Sequence, residues 1–341
     1  MQDLKELYYI IKKNIDRIDF DSLWEGFKKL KFALYNDKEC FFDGEYIEKT
    51  NEFIANTAIN YHGEVIAIWN VMEDVDLITL TSKIVHEMFH GYQMINNESR
   101  FPDELDALYN YQYDDNNLST KLAENKMLVI LLDNFTARDY NRFLGLRSSR
   151  LKNNHYEYVY ESKIEQIEGS ANYVELMALK KLSYYAYLRK LSELKERITS
   201  KNNFFPIRVL CYDIGALLIL LLNQNNIPFD LGFSEDSFSL TLVKNYKNIV
   251  NLDFLLFSKE IEDYYNHASD IINKAIEKND VVIDEECDIL GVNVYNAIYY
   301  KNYIISIYFV MVGNMDSPRI EYGNFVIETL NYKKASKIYR Y

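Results

Sequence analysis

Along most of the chain the apolar residues recur at intervals of three and four, the spacing of helices that bury one face. Leu4, Leu7, Ile11, Ile15 and Ile18 carry this spacing through residues 1–30, which predicts an opening amphipathic helix. Residues 31–72 break the pattern. FALYND, ECFF and EVIAIWNV are short, aromatic or β-branched, with Asp43-Gly44 and His62-Gly63 between them, so they read as strands of a small sheet. The last of these, Glu64 to Val71, is expected at the edge, where an extended peptide can add as another strand. Helices are then predicted at 81–97, 103–112, 118–135, 137–150, 157–195 with a break allowed, and 206–224. Residues 234–280 are expected to continue helical, most clearly over Asp253 to Ala275. From Ile289 to Leu330, aromatic and β-branched runs alternate with Lys-Asn and Gly-Asn, which predicts an antiparallel meander. The expected fold is α+β and predominantly helical. It divides into 1–75 (helix and small sheet), 76–230 (helical region) and 231–341 (helices and meander). No Pro-, Gly- or Ser-rich linker separates the three, so they are expected to pack as one body.

Composition narrows the function classes. The net charge is 38 − 51 = −13, which argues against a phosphate-tracking nucleic-acid binder. Cys40, Cys211 and Cys287 are odd in number and form no CxxC, so reduced thiols in a reducing compartment are expected. The first 20 residues mix acids and bases and offer no signal-peptide core. The most apolar run, Val209 to Leu222, holds Tyr212 and Asp213 and is too short to span a bilayer, so it reads as a buried helix. Together these features predict a soluble cytoplasmic protein with no membrane span. GxxxxGK, GxGxxG and GxSxG are all absent, which removes the common phosphate-cradling and serine-nucleophile readings.

Two of the five histidines stand four apart in His86-Glu87-Met88-Phe89-His90, an HExxH motif. On a helix, positions i and i+4 share a face, so both imidazoles can reach one ion, with Glu87 one position round. Thr81 or Ser82 is the expected cap of this helix. Catalytic zinc takes three protein ligands and leaves a fourth position for water. Gln93 and Asn96 exclude the metzincin continuation HExxHxxGxxH, which leaves a carboxylate from a second helix. Glu161, Glu165, Glu168, Asn172 and Glu175 form one stripe beside the apolar stripe of Ile164, Ile167, Ala171 and Val174. Gly169 within this helix costs about 1 kcal/mol against alanine, which points to a close approach there.

HExxH followed by Glu168-Gly169-Ser170-Ala171-Asn172-Tyr173-Val174-Glu175 resembles the gluzincin zinc peptidases, in particular the catalytic module of the aminopeptidase N type. The resemblance covers residues 60–225. It implies a thermolysin-like core, one Zn²⁺ per chain held by His86, His90 and Glu168, and a peptide or protein substrate. Tyr212-Asp213-Ile214-Gly215 is similar to the YxxG helix of the same group, which gives Tyr212 the role of stabilising the oxyanion. Glu87 would be the general base, acting on a water that zinc brings near neutral pKa. Asn172 and Glu175 are the candidates for fixing the histidine tautomers. Three departures stand out. Between His90 and Glu168 lie 77 residues (91–167), where many gluzincins have about 20. No GxMEN motif precedes His86, because Met72-Glu73-Asp74 lacks the glycine and lies too close, so an endopeptidase or small-peptide peptidase is expected. The large N-terminal sheet domain of that family has no counterpart either. The alternative is a binding or regulatory protein on the same scaffold with restricted turnover, against which the retained Glu87 argues.

Overall fold

The computed structural model describes residues 3–71, 76–230, 232–314 and 316–341. Met72-Glu73-Asp74 lies outside the described residues. The chain is α+β and about half helical rather than predominantly so, with a small sheet near the N-terminus and an antiparallel sheet near the C-terminus. It forms two compact units. One comprises Met1–Phe101, Ile164–Arg197 and Tyr212–Thr241; the other Pro102–Lys163, Ile198–Cys211 and Leu242–Tyr341. Each is assembled from discontinuous segments.

In the first unit, α1 (Leu4–Ile15) buries Leu4, Leu7, Tyr8, Ile11 and Ile15, and the Asp3 carboxylate accepts from the Lys5 N–H at its start. The predicted helix over 1–30 thus ends early. Ile18, Phe20, Leu23, Trp24 and Phe27 are still buried, but they lie in turns. There Ser22 Oγ donates to the Asp19 carbonyl and Asp21 accepts from Gly26 N–H, local bonds that compete with a helix.

The sheet contains β1 (Lys31–Tyr35), β2 (Cys40–Phe42), β3 (Glu45–Ile47), β4 (Thr57–Tyr61) and β5 (Glu64–Asn70), in the order β3-β2-β1-β5-β4. β1 and β5 are parallel and the other pairs antiparallel. The expected edge strand is therefore internal, since β5 is paired on both sides and β4 ends the sheet. The reason is legible in β5 itself. Ile66, Ala67 and Ile68 are buried in succession, without the alternation of a half-exposed strand. β4 joins β5 through His62 (φ 51°) and Gly63 (φ 85°), a two-residue turn whose left-handed residues match the strand twist.

Helix α2 (Leu77–Ile95) begins four residues before the expected start. Asp76 caps it, accepting from Ile78 and Thr79 N–H at 3.0 and 3.1 Å. Thr81 and Ser82 are inside the helix and donate back to the Leu77 and Thr79 carbonyls.

The second unit holds α3 (Glu104–Asn110), α4 (Asp115–Asp133) and α5 (Ala137–Asn153). The long helix α6 (His155–Leu182) follows, then α7 (Tyr184–Thr199), α8 (Ile207–Gln224), the single turn α9 (Phe238–Thr241) and α10 (Ser258–Lys278); the unit boundaries fall inside α6, α7 and α8. Ser183 makes the allowed break between α6 and α7, its hydroxyl accepting from Ala186 N–H. α8 would pass for a membrane span by length and composition, but it is mostly buried.

Five charged side chains are fully buried among α4, α5 and the start of α6. Glu161 accepts from Lys121 at 2.6 Å, Arg150 at 2.5 Å and the Tyr111 hydroxyl at 2.6 Å, while Glu124 pairs with Arg147 and Arg150.

The C-terminal strands are β6 (Val281–Ile283), β7 (Cys287–Val292), β8 (Ile298–Tyr300), β9 (Tyr303–Ser306), β10 (Phe309–Asn314), β11 (Ser317–Tyr322), β12 (Phe325–Asn331) and β13 (Lys334–Arg340). All pairings are antiparallel, in the order β11-β10-β7-β13-β12-β9-β8, with β6 also against β13. This is not a simple meander, because the last strand lies between β7 and β12. Lys334, Ser336, Lys337 and Arg340 mask β13 in the sequence, while Ala335, Ile338 and Tyr339 bury its other positions.

Candidate metal centre

Helix α2 lies against β4 and β5 and buries Ile84, Val85, Met88 and Phe89. That apolar flank fixes the rotation of the helix, and the HExxH residues occupy the adjoining face. His86 and Glu87 are each 9% exposed. The second helix is α6, brought close to α8 by two glycines. A Cβ on Gly169 would stand 2.6 Å from Gly215 Cα, and one on Gly215 would stand 2.6 Å from the Glu165 carbonyl oxygen. Only hydrogen fits at that crossing, so the close approach expected at Gly169 is present, and it sits directly beside Glu168.

His86 Nε2, His90 Nε2 and Glu168 Oε2 converge. The two nitrogens are 3.0 Å apart, and Glu168 Oε2 lies 3.3 Å from His90 Nε2 and 3.9 Å from His86 Nε2. Tetrahedral zinc with bonds of about 2.0–2.1 Å holds its ligand atoms about 3.3 Å apart. The three separations bracket that edge, so one ion can touch all three atoms without rearrangement of the backbone. Two imidazoles and one carboxylate are a donor set of the kind that can hold zinc.

The surrounding contacts orient the ligands. His90 Nδ1 donates to Gln93 Oε1 at 2.8 Å, and Gln93 Nε2 donates in turn to the Ile167 carbonyl (2.9 Å) and Ser170 Oγ (3.2 Å). With its own amide held by α6, Gln93 favours a His90 ring with Nδ1 protonated, so that the neutral form leaves Nε2 as the unprotonated nitrogen. Gln93 had served only to exclude the metzincin pattern. Its position three residues after His90, on the same helical face, was the signal for this role. Glu175 Oε2 lies 3.4 Å from His86 Nδ1, an ionic contact without hydrogen-bond alignment. Asn172 instead donates to Asp213 Oδ1 at 3.4 Å, and Asp213 pairs with Arg197 at 3.1 Å. The structure thus brings Glu175 to a histidine and turns Asn172 toward α8. Tyr212 is buried on α8, beside Asp213 in sequence. Of the other carboxylates on the stripe, Glu161 is committed to Lys121, Arg150 and Tyr111, and Glu165 is fully buried.

The carboxylates around His90 shift its titration. Burial pulls the His90 pKa down, but the hydrogen bond and charge of Glu168, with the charge of Glu87, override it and raise it to about 9. Burial likewise pushes Glu175 up, yet His86, Lys190 and Lys83 hold it down at about 2. Asp213 goes the other way, raised to about 6 by burial that Arg197 only partly offsets. The centre therefore sets carboxylates beside two imidazoles, and the Glu175 carboxylate is held ionised. No family model, curated protein or solved structure matches the chain.

Proposed function

We propose that the chain is a zinc-dependent peptidase with a gluzincin-like catalytic core, in which His86, His90 and Glu168 hold one Zn²⁺. The observation that carries the reading is the convergence of the three ligand atoms at 3.0, 3.3 and 3.9 Å. When bound there, zinc supplies Lewis acidity toward a peptide carbonyl and lowers the pKa of a water to about 7. Glu87 takes one proton from the attacking water as its oxygen bonds to the carbonyl carbon, and delivers that proton to the amine nitrogen as the C–N bond breaks. Gln93 and Glu175 hold the two imidazoles in register, and the Tyr212 hydroxyl donates toward the developing oxyanion. β4, which ends the sheet beside α2, is the place where an extended peptide adds. With no element that reads a free amino terminus, the substrate is an internal bond of a peptide or protein. The three free thiols fit a cytoplasmic setting.

Metal analysis of the purified chain together with cleavage of a mixed peptide library tests the proposal. About one zinc per chain is expected, and Glu87→Gln keeps the zinc while cleavage falls by at least about 10²-fold. Zinc-free active protein, or a Glu87→Gln variant that cleaves as the parent does, sinks the reading.

A further inference from the structure

A cavity of about 410 Å³ opens in the second unit, within the size range of small-molecule sites, and shares no residue with the metal cluster. Eight tyrosines line it. At least five of their hydroxyls are already used inside the protein, with Tyr113 accepting from Ile207 N–H (3.3 Å) and Tyr299 donating to Asn302 Oδ1 (3.4 Å). Tyr109 donates to the Asn331 carbonyl (2.7 Å), Tyr111 to Glu161 (2.6 Å) and Tyr160 to Glu104 (3.0 Å). These rings are pinned by their polar ends, so they offer aromatic carbon to the space rather than hydroxyls. Tyr109 and Tyr299 stack with centroids 4.1 Å apart, and Tyr113 meets Tyr264 edge to face at 5.0 Å. Tyr111 rests on the buried Glu161–Lys121–Arg150 network, so its place in the wall is set by groups that cannot move independently.

The charge of the lining selects between ligand types. A tyrosine cage ordinarily suits a cation. Here Lys301 already stands 4.9 Å over the Tyr300 ring and Arg208 lies 5.2 Å over Tyr295, so the protein supplies its own cations. Glu104 is the single carboxylate in the lining, and it is bound to Arg208 Nε at 2.9 Å. Burial raises the pKa of Tyr109 to about 12 and pushes Tyr111, Tyr113, Tyr160 and Tyr264 upward, so these phenols stay neutral near pH 7. Among the described lining residues Arg208 and Glu104 offset one another, and Lys301 leaves a net positive charge.

We propose that this cavity is a binding site for a planar aromatic molecule bearing a carboxylate, its ring stacked among the tyrosines and its acid group drawn to Arg208 and Lys301. The zinc reading does not enter this argument, so either can fail without the other.

Calorimetric titration of the full chain with four probes tests it: indole-3-acetate, indole-3-ethanol, tryptamine and cyclohexylacetate. Indole-3-acetate binds most tightly, and cyclohexylacetate, with the same charge but no ring system to stack, is about fivefold or more weaker. Lys301→Gln, at an exposed turn position, weakens indole-3-acetate by about threefold or more and leaves indole-3-ethanol unchanged. Tyr300→Leu weakens both indoles, with an unchanged thermal midpoint as the control for folding. Absence of saturable binding by all four probes overturns the proposal. So does tryptamine binding most tightly, cyclohexylacetate matching indole-3-acetate, or indole-3-acetate binding unaltered in Lys301→Gln and in a folded Tyr300→Leu.

Discussion

Gln93 shows how much of a site resides in a side chain that touches neither ion nor substrate. It receives the His90 Nδ1 proton and is held by two acceptors on α6. Gln93→Leu removes the acceptor and leaves the His90 ring free to turn. Zinc affinity, read by competition with a chelator, should fall about 10–100-fold, while Gln93→Glu, which keeps an acceptor, should lose less. Tyr212→Phe separates a different role. Zinc content should stay normal while kcat drops by about 10²-fold, as for loss of one oxyanion donor; an unchanged kcat removes Tyr212 from the mechanism. At this scale the sequence was most informative where one helix supplies the geometry. His86, Glu87 and His90 declare their relation by spacing alone, and so did Gln93 had its offset been weighed. Asn172 was misjudged because helical spacing puts it on the same stripe as Glu168 and Glu175, and only the position of Asp213 on α8 shows that it turns away.

Among the elements, the contact of α6 with α8 is the tightest crossing beside the proposed metal ligands. Because the glycines at 169 and 215 leave no room for a methyl group, Gly169→Ala must push the helices apart next to Glu168. A loss of about 1–3 kcal/mol in stability is expected, against the small gain alanine gives in an ordinary helix, together with weaker zinc retention. Denaturant unfolding with and without metal measures both effects; a more stable Gly169→Ala would contradict the contact. Helix positions were readable because burial repeats with the helical period, and α2 to α8 all fall close to their expected ranges. Strands were harder. β3 and β4 are short and mixed in character, and β13 carries lysines at 334 and 337 and an arginine at 340. The internal place of β5 was legible in its unbroken Ile66-Ala67-Ile68 run, whereas the identity of its parallel neighbour β1 was not.

For the molecule as a whole, the grouping of segments into two units and the strand order of the C-terminal sheet were not legible, since both are set by contacts between residues far apart in sequence. The buried ion network has the same long-range character and a measurable consequence. Glu161 is raised by burial, but Arg150, Lys121 and Tyr111 bring it down to about 2, below its ordinary value of 4.5. An acid with a depressed folded pKa contributes stability that is present above about pH 4.5 and is lost as the pH falls toward 2. Acid unfolding should therefore steepen in that window. Glu161→Gln should flatten it and cost about 3–5 kcal/mol at neutral pH by leaving Lys121 and Arg150 without their shared partner. Thermal unfolding followed from pH 7 to pH 2 distinguishes the two chains, and identical profiles would show that the network does not contribute in this way.

The two sheets end differently, and this bears on how the protein keeps company with itself. β11 closes one side of the C-terminal sheet with Pro318, Arg319 and Glu321, a combination of missing donor and alternating charge that discourages another strand from adding. β4 closes the small sheet with Thr-Ala-Ile-Asn-Tyr and carries no charge at all. The border at Thr57–Tyr61 therefore lacks the charge and proline that guard β11, and its five residues limit any added strand to a short pairing.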